Sequence, residues 1–431
     1  MDWRDEYKKR LTTAEKAIKS IHDGDTVVMS ECAGVPRTLE KTLAEHHADY
    51  RNVSIFHMLT LGDGECFADH CSENFCHLTN FLGANSRQHV WSGRGEFFPA
   101  FFKDIPGMLG KEIPCDVAIV TVTEPDAFGY CSVGLSCDYS TAAIKKARVV
   151  IAEMNDQMPF TAGGTLVHVS ELDHIVPVNY PLPELAPAKI GDIEMAIGRH
   201  CASLINDGDT LQLGIGAIPD AVLAQLGDKH DLGIHTEMFS DGVVDLVERG
   251  VINGSRKNLH RGKLVATFLM GTRRLYDFVD HNPDVALFGV EYVNDPCVIA
   301  KNDNMVAINS CIEVDLMGQV ASESMGAKQF SGTGGQVDYV RGAAMSKGGR
   351  SIMAMPSTAA KGTVSRIVAA LKPGTAVTTS RNDVDYVVTE YGIAHLRGLS
   401  LPKRAEALIA IAHPDFRQQL REDYEKTYKN I

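Results

Sequence analysis

The stretch INDGDTLQLGIGAIP, residues 205–219, runs from a polar turn into an apolar run and then into two glycines one residue apart, Gly214 and Gly216. The same words occur near the start of the chain, in IHDGDTVVMSECAGVP (21–36), where Asp23-Gly24-Asp25-Thr26 matches Asp207-Gly208-Asp209-Thr210. The offset is 207 − 23 = 184 residues. A chain of 431 residues is too long for one ordinary core, so a repeat at this spacing predicts two related lobes.

Around each copy, apolar runs of strand length alternate with helical patterns. TVVM, VSIFHML, DVAIVTV and RVVIAEM read as strands, and RTLEKTLAEHH and STAAIKKA as helices. This alternation predicts an α/β class, two open lobes with mainly parallel sheets. The segment PVNYPLPELAPAKIGD (177–192) carries four prolines and reads as the linker, which divides the chain into lobes 1–185 and 186–431. The second lobe restarts with the helix EMAIGRHCASLI, the DGDT turn and strand, and the helix PDAVLAQLG. A second echo sets CDVAIVTVTEPDAFGYCSVG (115–134) against PDVALFGVEYV (283–293) joined to the later VDLMGQVASES.

A net charge of −13 without long Lys/Arg runs argues against nucleic acid and anionic membrane as partners. No leader-like apolar segment opens the chain and no run of about 18 apolar residues occurs, so a soluble, cytoplasmic protein is expected. Ten scattered cysteines suit reduced thiols. Cys66, Cys71 and Cys76, with His70 and His77, invite a metal reading, but C-x4-C-x4-C is not a zinc-knuckle spacing, and free thiols with no metal are expected.

Three segments could carry chemistry. The loop GIGAIP follows a strand and opens a helix, so its backbone amides suit a phosphate or oxyanion. It lacks the third glycine of a dinucleotide fingerprint, since position 219 is Pro; a tight turn without a ligand is the plainer alternative. In DLGIHTEMFSDGVVDL, Glu237 stands at a strand end and His235 on the same side of that strand, where both could be simply satisfied polar groups. The segment 327–366 carries Lys328, Arg341, Lys347, Arg350, Lys361 and Arg366 against the single acid Asp338, with Gly332, Gly334 and Gly335 between them. It suits a polyphosphate or adenosine phosphate, or else a solvated loop.

Taken together, GIGAIPDAVL, GIHTEMFSDGVVDL, KQFSGTGGQVDYVRGA and VTTSRNDVDYVVTEYGIAHLRG resemble the acetyl-CoA hydrolase/transferase branch of the class I coenzyme A transferases, over essentially the whole chain. The resemblance implies an active site at the lobe junction, with Glu237 as nucleophile. It implies that Gly214, Ile215, Gly216, Ala217, Ile218, Ile312 and Gly335 contact coenzyme A, which is a substrate, with no tightly bound cofactor. The implied reaction moves CoA between short-chain acyl-CoA and a carboxylic acid through a glutamyl-CoA thioester, with 4-hydroxybutyrate the favoured acid. Acyl-CoA hydrolysis and butyryl-CoA:acetate transfer are the alternatives, and a homodimer is a family-level expectation.

Overall fold

The runs TVVM and VAIVTV are buried at every position, as parallel strands covered on both faces must be. In the computed structural model, which describes residues 2–428, such strands build a main, largely parallel array in each of two units. Unit 1 comprises Met1–Ala186 and Val265–Val293; unit 2 comprises Pro187–Leu264 and Asn294–Ile431.

The sheet of unit 1 has strands β1 (Thr26–Met29), β2 (Val53–Phe56), β3 (Phe75–Thr79), β4 (Gly95–Phe97), β5 (Val117–Val122), β6 (Val149–Asn155) and β7 (His174–Val178). Their order is β7-β6-β5-β1-β2-β3-β4, and every pair is parallel. Val27, Met29, Leu39, Leu43, Ile55, Ile119 and Ile151 meet in one core beneath the helix Arg37–Glu45. Burying each such side chain contributes about 1.5 to 3 kcal/mol.

Unit 2 repeats the plan with β8 (Thr210–Leu213), β9 (Gly233–His235), β10 (Met305–Ser310), β11 (Arg350–Ala354), β12 (Tyr386–Thr389) and β13 (Gly392–His395). These run β13-β12-β11-β10-β8-β9, parallel except for the antiparallel pair β12–β13. In both units the first strand is internal, the chain winds outward on one side, and then it returns to the other. That leaves a topological switch point beside β1 and beside β8, where open parallel sheets offer a crevice at their carboxyl ends.

The repeated DGDT words are explained bond by bond. Asp23 accepts from the Arg51 amide and Asp207 from the His230 amide, each at 2.8 Å. Asp25 accepts from the His22 amide and the Arg148 guanidinium, while Asp209 accepts from the Asn206 amide and the Arg350 guanidinium. Gly24 and Gly208 have φ of 81° and 80°, which a side chain would strain. The second echo holds in its later half, where Asp126 accepts from the amides of Phe128 and Tyr130 just as Asp315 does from Met317 and Gln319.

Three expectations need correction. The first half of that echo fails: β5 borders β1 as β10 borders β8, so β10 is its counterpart, whereas Val285–Leu287 pairs with Ala162–Gly163. Residues 265–293, expected in the lobe 186–431, belong to unit 1, because its residues satisfy their backbone groups. Cys137 and Asp138 donate to Thr267 O, Leu269 donates to Leu135 O, and Val290 donates to Asp138 O. The chain does pass between units at Ala186–Pro187, but the strand before it runs through Pro177 to Val178. Pro177 is tolerated because β7 is an edge strand. No described helix is long and apolar enough to cross a membrane.

Candidate active site

Strand β9 ends at His235, and Glu237 stands two residues beyond its carboxyl end. Between them, buried Thr236 donates its hydroxyl to Leu213 O at 3.1 Å and Met238 O at 2.9 Å. Leu213 is the last residue of β8, so Thr236 fixes the Glu237 turn against the start of the Gly214–Ile218 loop.

The carboxyl of Glu237 is held from two further directions within unit 2. Asn294 Nδ2 donates to Glu237 Oε2 at 2.6 Å. The amide of Gly335 also donates to this carboxyl. Burial pushes the Glu237 pKa up to about 7, and the Asn294 and Gly335 bonds work against that rise by favouring the anion. Gly335 has an ordinary φ of −95°, so its glycine is needed for space: a Cβ there would collide with Glu237 Oε2 and Asn294 Nδ2. His235 is fully buried, its ring 6.5 Å from that of Tyr339.

The loop bearing Gly335 is organised from below by buried Glu323. Its backbone carbonyl accepts from the amides of Phe330 and Ser331, and its carboxylate from the hydroxyls of Thr333 and Thr378. Asn294 lies in no motif that sequence reading singled out, and Glu323 was quoted only as part of the echo VDLMGQVASES. Asn294 is 57 residues from Glu237, and only the fold pairs them.

The five residues of the GIGAI loop lie at the carboxyl end of β8. Ile215 is exposed, Ile218 is buried, and Gly216, with φ of 110°, begins the helix Ala217–Ala224. No side chain caps that helix. Its counterpart in unit 1, Arg37–Glu45, is occupied from within, since Glu153 accepts from the amides of Thr38 and Leu39. Ile312 lies just past β10, half-buried, with its amide donating to Ala321 O at 2.8 Å, so only its carbonyl and side chain face other partners. The basic island is not one cradle: Arg350 pairs with Asp209, and Arg341 with Asp383 at 3.3 Å.

The chain matches the N-terminal domain of the acetyl-CoA hydrolase/transferase family over residues 1–182 and its C-terminal domain over 271–424. It is 54% identical to the 4-hydroxybutyrate coenzyme A transferase of Clostridium kluyveri, over 99% of this chain and 100% of that protein. It is 38% identical to the butyryl-CoA:acetate CoA-transferase of Anaerostipes caccae, over 99% and 98% of the two chains. Among solved structures, the 4-hydroxybutyrate CoA-transferase of Porphyromonas gingivalis superposes with a TM-score of 0.86 at 46% identity, over 99% of this chain and 100% of that one. With both domains matched in order and relatives aligned end to end, the chain belongs to the acetyl-CoA hydrolase/transferase family and is a CoA-transferase.

Proposed function

We propose that Glu237 is the nucleophile of a CoA transfer between short-chain acyl-CoA and 4-hydroxybutyrate. The observation that carries this reading is a part-buried carboxyl, pushed up to about 7, that accepts from Asn294 Nδ2 and the Gly335 amide. A carboxylate poised near neutrality is more nucleophilic than an ordinary surface one and is still substantially ionised at working pH.

Glu237 attacks the thioester carbonyl; its tetrahedral intermediate collapses with loss of CoA thiolate, leaving a mixed anhydride between Glu237 and the acyl group. The thiolate then attacks the glutamyl carbonyl and expels the acyl group as a free carboxylate, so that CoA is held as a glutamyl thioester. A second carboxylate attacks that thioester and reverses both steps, regenerating Glu237. No proton is consumed and the thioester bond energy is retained throughout. In the first tetrahedral intermediate the oxyanion is the acyl carbonyl oxygen of the thioester. In the second, formed when the thiolate adds to the glutamyl carbonyl, Glu237 Oε2 is the oxyanion, and Asn294 Nδ2 and the Gly335 amide are its donors. Each such donor contributes about 3 to 4 kcal/mol.

For CoA, the reading rests on the uncapped helix start at Gly216 and the GIGAI loop, exposed at Ile215, whose amides suit a phosphate or an oxyanion. Ile312 and Gly335 complete the proposed contacts. The choice of 4-hydroxybutyrate rests on the relatives that are 54% and 46% identical. The test is to mix the protein with butyryl-CoA and labelled acetate, then compete with 4-hydroxybutyrate and succinate. Transfer yields labelled acetyl-CoA, and 4-hydroxybutyrate should suppress it more than succinate does. Release of free CoA alone would make the enzyme a hydrolase, and full activity in Glu237→Ala would remove the mechanism.

A further inference from the structure

In unit 1 the chain leaves the helix Arg37–Glu45 through the turn His47–Asp49, which lies against a second turn, Asp69–Cys71. The rings of His47 and His70 meet edge to face with centroids 4.9 Å apart. Cys71 joins them, so that one ligand atom from each of the three residues lies within 4.8 Å of the others. His47 Nδ1 is 2.9 Å from Ala44 O, which seats the ring proton on Nδ1 and leaves Nε2 with its lone pair. A ring nitrogen fixed in this way by a backbone carbonyl is the usual support of a metal-bound imidazole. Ala44 is in the last turn of the helix, where the dipole favours a cation.

We propose that His47, His70 and Cys71 bind one divalent ion of the zinc class through two imidazoles and a thiolate, with a fourth position open to water. Nitrogen and sulfur donors in this number suit zinc over magnesium or calcium, which take oxygen. Bond lengths near 2.0 Å for nitrogen and 2.3 Å for sulfur bring the ligand atoms to roughly 3.3 to 3.6 Å from one another. Closing the gap falls to His70, which is exposed and free to turn about its side-chain torsions. The Cys71 thiol proton passes to solvent as the ion binds.

The sequence segment that invited a metal reading, Cys66, Cys71, Cys76, His70 and His77, was expected to hold none, and the cluster differs from it. Cys66 takes no part: its thiol donates to Glu40 O at 3.2 Å, whereas the Cys71 thiol makes only longer contacts, 3.8 Å to Ala44 O and 3.7 Å to Glu65 O. His77 is buried against Phe67 and His57, with ring centroids 3.9 and 5.1 Å away. His47 was outside the cysteine-rich segment altogether.

The test is a titration of the whole, reduced protein with Co2+, which takes tetrahedral sites and reports a bound thiolate by a near-ultraviolet charge-transfer band. One equivalent should produce that band together with the visible bands of a tetrahedral ion. Cys71→Ser should abolish the charge-transfer band, and Cys297→Ser, at an exposed thiol, should leave it intact. His70→Ala should weaken Co2+ binding by at least about tenfold with CoA transfer unchanged. Absence of the band in the unmodified protein, its survival in Cys71→Ser, or unchanged affinity in His70→Ala would each overturn the proposal.

Discussion

Replacing Asn294 by alanine removes the 2.6 Å bond to Glu237 Oε2. That bond favours the ionised carboxyl, so its loss raises the Glu237 pKa above its starting value of about 7. A hydrogen bond to a charged group is worth about 1.5 to 3 kcal/mol, and one pH unit corresponds to 1.36 kcal/mol, so the rise is about one to two pH units. The acid limb of kcat/KM, which reports the free enzyme, should therefore move from near 7 to between about 8 and 9. At pH 7 the ionised fraction falls from about a half to between about 0.1 and 0.01, a loss of roughly 5- to 50-fold from ionisation alone. Above the new limb that part of the loss is recovered, while the missing oxyanion donor still lowers the plateau by about 100- to 1,000-fold. The assay is initial-rate transfer from butyryl-CoA to acetate across pH 6 to about 10, with the assay temperature chosen from a melting curve of the variant. A limb that stays near 7 while the rate drops by one factor at every pH would refute the claim that Asn294 sets the ionisation of Glu237.

Three further outcomes follow from the same geometry. Gly335→Ala should abolish transfer, because its Cβ has no room beside Glu237 and Asn294, whereas Gly214→Ala meets open space and should retain most activity; comparable rates in the two variants would contradict this. Glu237→Gln should be inactive yet more stable, because the folded state holds the part-buried carboxyl neutral up to about pH 7 and so loses stability as the unfolded chain ionises above pH 4.5, its ordinary value. Urea unfolding should show the advantage absent near pH 4 and rising to at most about 3 kcal/mol by pH 8, the upper figure applying to a fully enclosed group. His57, buried and 3.3 Å from His77, is pushed down to about 4 from 6.5, so the folded state should lose about 3 kcal/mol as pH falls between those values. His57→Phe should flatten that dependence, and an unchanged slope would count against it.

What could be read from sequence was what depends on local bonding. The DGDT words were legible because Asp25 and Asp209 each accept from the amide three positions back, so the spacing itself carries the turn. Glu237 was legible because HTEM ends a strand and precedes a helix. Asn294 was not, because its role depends on where two distant turns come to rest, and nothing in GVEYVND marks it. Thr236 and Glu323 act through buried carbonyl and hydroxyl partners, which leave no periodic trace. The echo between 115–134 and 283–293 misled for a related reason: short apolar runs look alike, and only the pairing partners distinguish β10 from Val285–Leu287.

The return of residues 265–293 to unit 1 bears on how the protein is made. A ribosome that has released Ala186 has not delivered a finished first unit, because the stretch that bonds Leu135, Cys137 and Asp138 is still to come. The missing part is complete only at Val293, 293 − 186 = 107 residues later. At about 5 to 20 residues per second this is a wait of roughly 5 to 20 s, during which β8, β9 and their helices emerge. The N-terminal half therefore spends its first seconds with the Leu135–Asp138 edge open to solvent and chaperones. A gene split at the proline-rich linker would make that exposure permanent, whereas a split after Val293 would release the first unit whole.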